Sequence, residues 1–282
     1  MNDLAIAVRH LDATRGTFHL RDVSFELPTG FVMGFVGRNG AGKTTTIRCL
    51  LGMLTPDAGE IEVLGQPLPA DPALREDIGV VLDHSTLVED WRLTEVERAL
   101  APFYSRWDGA RYRALLEEFE LDPRHKVKEL SRGQAMKLGI TLALSHHARL
   151  LVLDEPTSGL DPAARDELVS ILGDFLTDDG HSVLFSTHIT SDLERIADYV
   201  TVIDAGRVVD SAPKDELLDA YRLVRGGPED LVDPDVDFLG LRRNETGAEA
   251  LVAAGQVDRL SGDLVVDRPT LDEIVVKMGD HR

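Results

Sequence analysis

The chain lacks most of what a secreted, membrane-embedded or nucleic-acid-binding protein carries. Cys49 is the one cysteine in 282 residues, so no disulfide can form within the chain, as suits a reducing compartment. Cys49 itself is expected to be a small buried apolar residue. No apolar run approaches the ~20 residues a membrane-spanning helix needs. The start, Met1-Asn2-Asp3-Leu4, has neither the basic flank nor the apolar stretch of a signal peptide. Internal repeats and heptad runs are absent as well. Positive charge is scarce: 30 Lys and Arg stand against 50 Asp and Glu, for a net charge of −20 spread along the chain. Such a surface repels a phosphate backbone, which argues against nucleic acid as a partner. It gives no help in adhering to anionic lipid either. Association with a membrane would have to run through a protein partner.

What is present is chemically specific. Gly37-Arg38-Asn39-Gly40-Ala41-Gly42-Lys43-Thr44-Thr45 follows the apolar run Phe31 to Val36 and opens a helical stretch expected over 44–54. Glycines let successive backbone N–H groups curl around a triphosphate. The helix that begins there aims its positive end at the same anion. Lys43 would reach the β- and γ-phosphates, and the Thr44 hydroxyl would bind Mg²⁺.

The rest of the pattern predicts an α/β chain. Alternation around 4–8 and 23–27, and again at 60–64, reads as an N-terminal β-rich part. A further strand is expected at 78–82. Residues 94–119 read as helix interrupted near 105–109, and 131–146 as another helix. Strand and helix then alternate (150–153, 162–176, 182–185, 189–197, 199–203), the mark of a parallel sheet flanked by helices. Gly226-Gly227-Pro228 is the expected boundary of a small α+β appendage with a short strand at 264–266 and a terminal helix at 271–278.

Several further motifs fall on this frame. Leu150-Leu151-Val152-Leu153 delivers Asp154 and Glu155 to a strand's C-terminal end, the edge where ligands bind in open parallel sheets. Adjacent strand residues point to opposite faces, so Asp154 is expected to hold Mg²⁺ and Glu155 to orient or deprotonate the attacking water. Leu130-Ser131-Arg132-Gly133-Gln134 precedes a helix that Ser131 can cap. Ser158-Gly159-Leu160-Asp161 lies just past the two acids, and Ser186-Thr187-His188 ends the next apolar strand.

Taken in this order, the motifs resemble the nucleotide-binding subunit of ATP-binding cassette (ABC) transporters, over roughly residues 4–220. The resemblance implies a P-loop cassette: a mainly parallel sheet core, an N-terminal antiparallel β subdomain and a helical subdomain at about 84–147. The cassette would span 1–221 and the appendage, dimerising or regulatory, 222–282. It implies ATP hydrolysis with Mg²⁺ by a head-to-tail dimer, formed with itself or a paralogous subunit. Two ATP molecules would lie between the protomers, each gripped by 37–45 of one and by Ser131, Gly133 and Gln134 of the other. His188 would contact the γ-phosphate, and Asp161 would communicate across the dimer. Local wording around 34–39 and 185–194 looks like a bacterial subgroup serving separately encoded, exporter-type permeases. The chain would then lie in the cytoplasm, on the inner face of the membrane. A soluble ABC ATPase with a non-transport role such as cluster assembly is the rival reading.

The chain departs from the family pattern at Asp83, where a glutamine is usual, at Arg15, where an aromatic residue stacks on adenine, and at Arg132, where glycine is commoner. Asp83 is expected to keep a Mg²⁺ role. Arg15 stacking on the base, Phe18 doing so, or neither, stay open. Arg132 is expected to point to solvent. Adjacent His146 and His147 do not share a helix face, which argues against a metal site. Trp91 is either a permease-docking residue or ordinary packing.

Overall fold

The computed structural model describes residues 3–83, 86–260, 262 and 264–279. Met1, Asn2, the expected helical-subdomain boundary at His84, and the last three residues lie outside that range.

In chain order, β1 (Leu4–Arg15) and β2 (Phe18–Pro28) form a long hairpin, followed by β3 (Val32–Val36) and α1 (Lys43–Leu50). Then come β4 (Ala58–Val63), β5 (Gln66–Pro67) and β6 (Ile78–Val81). Helices α2 (Leu93–Leu100), α3 (Gly109–Glu118) and α4 (Arg132–Ser145) make the helical part. The alternating half holds β7 (Leu150–Asp154), α5 (Pro162–Phe175), β8 (Ser182–Thr187), α6 (Thr190–Ile196), β9 (Tyr199–Asp204), β10 (Arg207–Pro213) and α7 (Lys214–Ala220). The appendage has β11 (Tyr221–Gly226), β12 (Leu239–Asn244), β13 (Gly247–Ala253), β14 (Val265–Asp267) and α8 (Leu271–Gly279).

The strands sort into an antiparallel sheet β2-β1-β4-β5, a central sheet β10-β9-β3-β8-β7-β6 and an appendage sheet β12-β13-β11-β14. The central sheet is parallel except where β10 pairs with β9. Every residue of β3, β7 and β8 is buried, because a parallel sheet is covered on both faces and so selects continuous apolar runs. The register aligns Val36 with Thr187 and Asp154 with Ser186. Three neighbouring strands therefore deliver the phosphate loop, the acids and the histidine to one edge of the sheet.

β1 runs through to Arg15, because register shifts between Val8 and Leu11 and between Leu11 and Ala13 break the alternation without ending the pairing. α1 stops at Leu50 instead of reaching Leu54, and Gly52, at a φ of 65°, turns the chain away.

The helical part is pinned by Tyr112, which is fully buried and donates its hydroxyl hydrogen to the Leu93 carbonyl at 2.9 Å. Burial raises the Tyr112 pKa, with the Glu97 charge a smaller cause. Tyr112→Phe keeps the ring and removes the bond, so it should lower stability by about 1 kcal/mol. Denaturant midpoints of the two proteins check this. His146 is buried and stacked on Tyr104 at 4.2 Å, and its Nδ1 donates to the Glu76 carbonyl at 2.9 Å. Both are packing roles. Trp91 likewise packs, half-buried, against the main core. Cys49 is buried, and desolvation with the nearby Asp57 charge pushes its thiol up to about 11, so it is an inert core residue.

Gly226 ends β11, paired with Ala248 of β13, so a whole strand lies between the 221/222 division and the glycine pair. A small core of the appendage's own gathers Val224, Leu231, Val236, Ala248, Ala250 and Val252. α8 belongs to a different core: Leu271, Ile274, Val275 and Met278 join the cluster that holds Leu168, Leu193 and Val200 of the cassette. The same helix is anchored in the appendage by Lys277. Its buried Nζ lies 2.8 Å from Glu249 Oε1 and donates to the Gly240 carbonyl at 3.2 Å.

Candidate active site

The phosphate loop is shaped by two glycines that nothing else could replace. A Cβ on Gly37 would sit 2.2 Å from the Ile203 carbonyl oxygen, and Gly42 has a φ of 122°, a region that side-chain-bearing residues avoid. Lys43 then starts α1. It is buried, and its Nζ donates to the Gly37 carbonyl at 2.7 Å and the Arg38 carbonyl at 3.3 Å. Glu155 Oε1 lies 3.1 Å from the same nitrogen.

Asp154 ends β7 with its carboxylate buried. The Thr44 hydroxyl donates to its Oδ2 at 2.9 Å and the Ser186 hydroxyl to its Oδ1 at 2.9 Å. Desolvation is the largest influence on Asp154 and raises its pKa, while those two hydroxyls pull it down. The Ser186 role was not assigned from sequence, although Ser186-Thr187-His188 was visible. A small hydroxyl at the end of the strand beside the acids was the available signal.

Glu155 departs from the expected strand alternation. Its φ is 53°, a left-handed conformation costing a non-glycine residue roughly 1 kcal/mol. Its N–H donates to the Ser186 carbonyl at 2.9 Å. The turn brings its side chain into the same site as Asp154 instead of onto the opposite face. One oxygen, Oε2, accepts from His188 Nδ1 at 2.7 Å. An ionised carboxylate can only accept, so the proton of that contact sits on Nδ1. The other oxygen, Oε1, is buried beside Lys43 and accepts no hydrogen bond among the described residues.

These contacts gather Lys43, Thr44, Asp154, Glu155, Ser186 and His188 around the phosphate loop. Such a cluster can bind a triphosphate, hold a hard cation and take a proton from water.

A family model described as ABC transporter matches residues 20–158. Nod factor export ATP-binding protein I of Rhizobium etli is 37% identical over 236 residues, which cover 77% of this chain and 73% of that protein. The chain belongs to the ABC transporter family. Its relatives are ATP-binding subunits, ATPases that drive transport. A protein of the same name from Cupriavidus pinatubonensis is 35% identical over 226 residues; the match covers 78% of this chain, which spans 65% of that relative's length. A solved structure described as the ATP binding subunit of an ABC transporter superposes with a TM-score of 0.68 at 29% identity, covering 76% of this chain and 91% of that one. The expected architecture, a mainly parallel core with an antiparallel β subdomain and helices, is the one observed.

The other motifs of this ABC cassette lie apart from that cluster. Ser131 caps α4: its Oγ accepts from the Gln134 N–H at 3.2 Å, and Gln134 Oε1 accepts from the Ser131 N–H at 3.0 Å. This reciprocal box holds the start of the signature helix rigid, with Ser131 exposed and Gly133 half-exposed. Asp161 caps α5, accepting from the Ala164 N–H at 3.0 Å. Arg132 is exposed, as expected of a side chain tolerated at this position, and it is also ion-paired. Its guanidinium is 3.4 Å from Asp83 Oδ1, and it lies over Gly159, where a Cβ would sit 2.5 Å from an Arg132 nitrogen. Asp83 and Arg132, both departures from the family pattern, are thus ion-paired with each other. Arg15 and Phe18 face each other where the first hairpin closes. The Phe18 ring would lie 3.2 Å from a Cβ at Gly42, so it packs against the phosphate loop, and Arg15 is exposed.

Proposed function

We propose that two copies of this chain, or one copy and a paralogous subunit, close head to tail around two Mg-ATP and power a separate membrane permease, in the export direction. The observation that carries the hydrolytic part is Glu155, whose Oε1 is buried without a hydrogen-bond donor while Oε2 is held by His188. That oxygen, ion-paired with Lys43 at 3.1 Å until the lysine turns to the phosphates, is the proton acceptor for the attacking water. Lys43, now held by carbonyls and by Glu155, turns to the β- and γ-phosphates. Gly37 to Thr45 surround the phosphates with N–H groups. With Nδ1 on Glu155, His188 keeps Nε2 for the γ-phosphate. Ser131, Gly133 and Gln134 of the second copy supply a capped helix start to the same phosphate, and Asp161 lies at the seam.

Mg²⁺ fits the donor set. Thr44 and Asp154 offer hard oxygens side by side, and Asp154 is a buried carboxylate with only hydroxyl donors on it. No group of three or more His, Cys, Asp or Glu arranged for a metal occurs among the described residues, as suits an ion that takes most of its ligands from phosphates and water. When bound, Mg²⁺ neutralises phosphate charge. Asp83 is our candidate for a further ligand, and it would first have to leave Arg132. Asp83→Gln should then weaken the Mg²⁺ dependence of ATPase activity, shifting half-activation to severalfold higher Mg²⁺. Superimposable Mg²⁺ titrations would remove Asp83 from the metal site. Phe18 is the better placed of the two residues to meet adenine, because it already packs on the phosphate loop.

The permease reading rests on the relatives, which are named for Nod factor export, and on a groove of ~630 Å³ between the core and the helical part. Met53, Leu68, Ala70, Leu87, Leu100 and Tyr104 line it, with Asp83 and Glu155 also in its wall. A permease segment seated there would touch the surroundings of Glu155, the proposed base. No helix among the described residues is long and apolar enough to cross a membrane, so attachment to the inner face would be through that partner. The non-transport alternative is not favoured, since these relatives carry transport names. Purification from detergent-solubilised membranes tests the proposal: the chain should come with a multi-span protein, and recovery only in soluble complexes would overturn it.

A further inference from the structure

The step from β8 to α6 is short. Strand β8 ends at Thr187 and α6 starts at Thr190, so His188 and Ile189 are the whole joint between them. The imidazole hangs on that joint, and its place on Glu155 depends on how the joint is held. From the strand side, Thr187 Oγ1 accepts from the Ile189 N–H at 2.9 Å. From the helix side the capping position gives nothing, because Ile189 has no side chain able to cap. The missing constraint comes from the other end of the chain. Thr190, which is buried, donates its hydroxyl hydrogen to Asp272 Oδ1 at 2.7 Å. Asp272 sits in the first turn of α8, fixed by a reciprocal cap: Thr270 Oγ1 accepts from the Glu273 N–H at 3.2 Å, and the Thr270 N–H donates to Glu273 at 2.8 Å. His188, Thr190, Thr270 and Asp272 line one cleft.

We propose that Asp272 is a positioning residue for ATP hydrolysis, holding Thr190 so that His188 stays seated between Glu155 and the substrate. The C-terminal appendage is thereby tied to the placement of His188 rather than hung beside the site. α8 is gripped by the cassette core and, through Lys277 and Glu249, by the appendage, so a shift of the appendage sheet moves Asp272 and with it the joint. The proposal rests on the hydrolytic role of His188 given above.

The test uses the full chain and compares Mg-ATP turnover in wild type, Asp272→Ala, Thr190→Val, the double variant and His188→Ala. Asp272→Ala and Thr190→Val should each lower kcat about tenfold, with KM for ATP within twofold of wild type, since the phosphate loop is untouched. The double variant should lose no more than either single one. Asp272→Asn and Thr190→Ser keep the hydrogen bond and should restore at least half of kcat. Thr190→Val is near-isosteric, so thermal midpoints within a few degrees of wild type separate positioning from unfolding. An unchanged kcat in both single variants beside an inactive His188→Ala overturns the inference alone. Equal losses in the Ala, Val, Asn and Ser variants also overturn it. Full activity in His188→Ala overturns the reading beneath it.

Discussion

Glu155→Gln should lower kcat for ATP hydrolysis by about 10²–10⁴-fold, the range that removing a positioned proton acceptor costs, while leaving ATP bound. The substitution preserves shape and replaces a buried carboxylate that has one oxygen accepting no hydrogen bond among the described residues. It also removes the negative charge lying 3.1 Å from Lys43 Nζ, so the lysine is released to the phosphates and nucleotide binding is kept or strengthened. Binding without cleavage should accumulate the ATP-clamped dimer. Sedimentation at saturating Mg-ATP should show dimeric Glu155→Gln, with less dimer in the wild type. A monomer under those conditions would count heavily against the two-copy sandwich, and wild-type turnover would end the assignment of Glu155 as base.

Lys43→Ala should weaken ATP binding at least ~100-fold, equivalent to about 2.7 kcal/mol, and abolish turnover at ordinary ATP concentrations. Two effects add. The direct one is loss of a charge-assisted contact to the β- and γ-phosphates. The indirect one is that Glu155, only 13% exposed at its side chain, loses its cation partner and leaves uncompensated negative charge facing a triphosphate. Titration with a fluorescent ATP analogue measures binding separately from catalysis. The prediction separates the variants cleanly: Glu155→Gln binds without cleaving, and Lys43→Ala does neither. Retention of wild-type affinity by Lys43→Ala would remove the phosphate loop from the mechanism.

Much of the site was legible because short-range rules govern it. Glycines spaced around Lys43, a helix beginning at that lysine and a buried strand ending in acids are local patterns, and each appears where the sequence placed it. Glu155 was legible in identity but not in direction. Strand alternation sent it to the face opposite Asp154, and a left-handed residue sends it back. Such a conformation costs energy, so no propensity predicts it. The tertiary contacts with Lys43 and His188 hold it there. Arg132 is exposed as expected, yet nothing in its local sequence reveals that Asp83, 49 residues away, sits beside it.

By itself the sequence determined the cassette: its alternating strands and helices, its family, and the residue types gathered at the candidate site. Periodicity and spacing act over a few residues and survive without knowledge of the fold. The tertiary structure alone decided where α8 belongs and what it holds. The sequence assigned that helix to the appendage, yet its apolar residues complete the cassette core and its Asp272 reaches Thr190 across 82 residues. Contacts over that separation depend on which surfaces are left uncovered once the sheets have formed, and no local pattern encodes them.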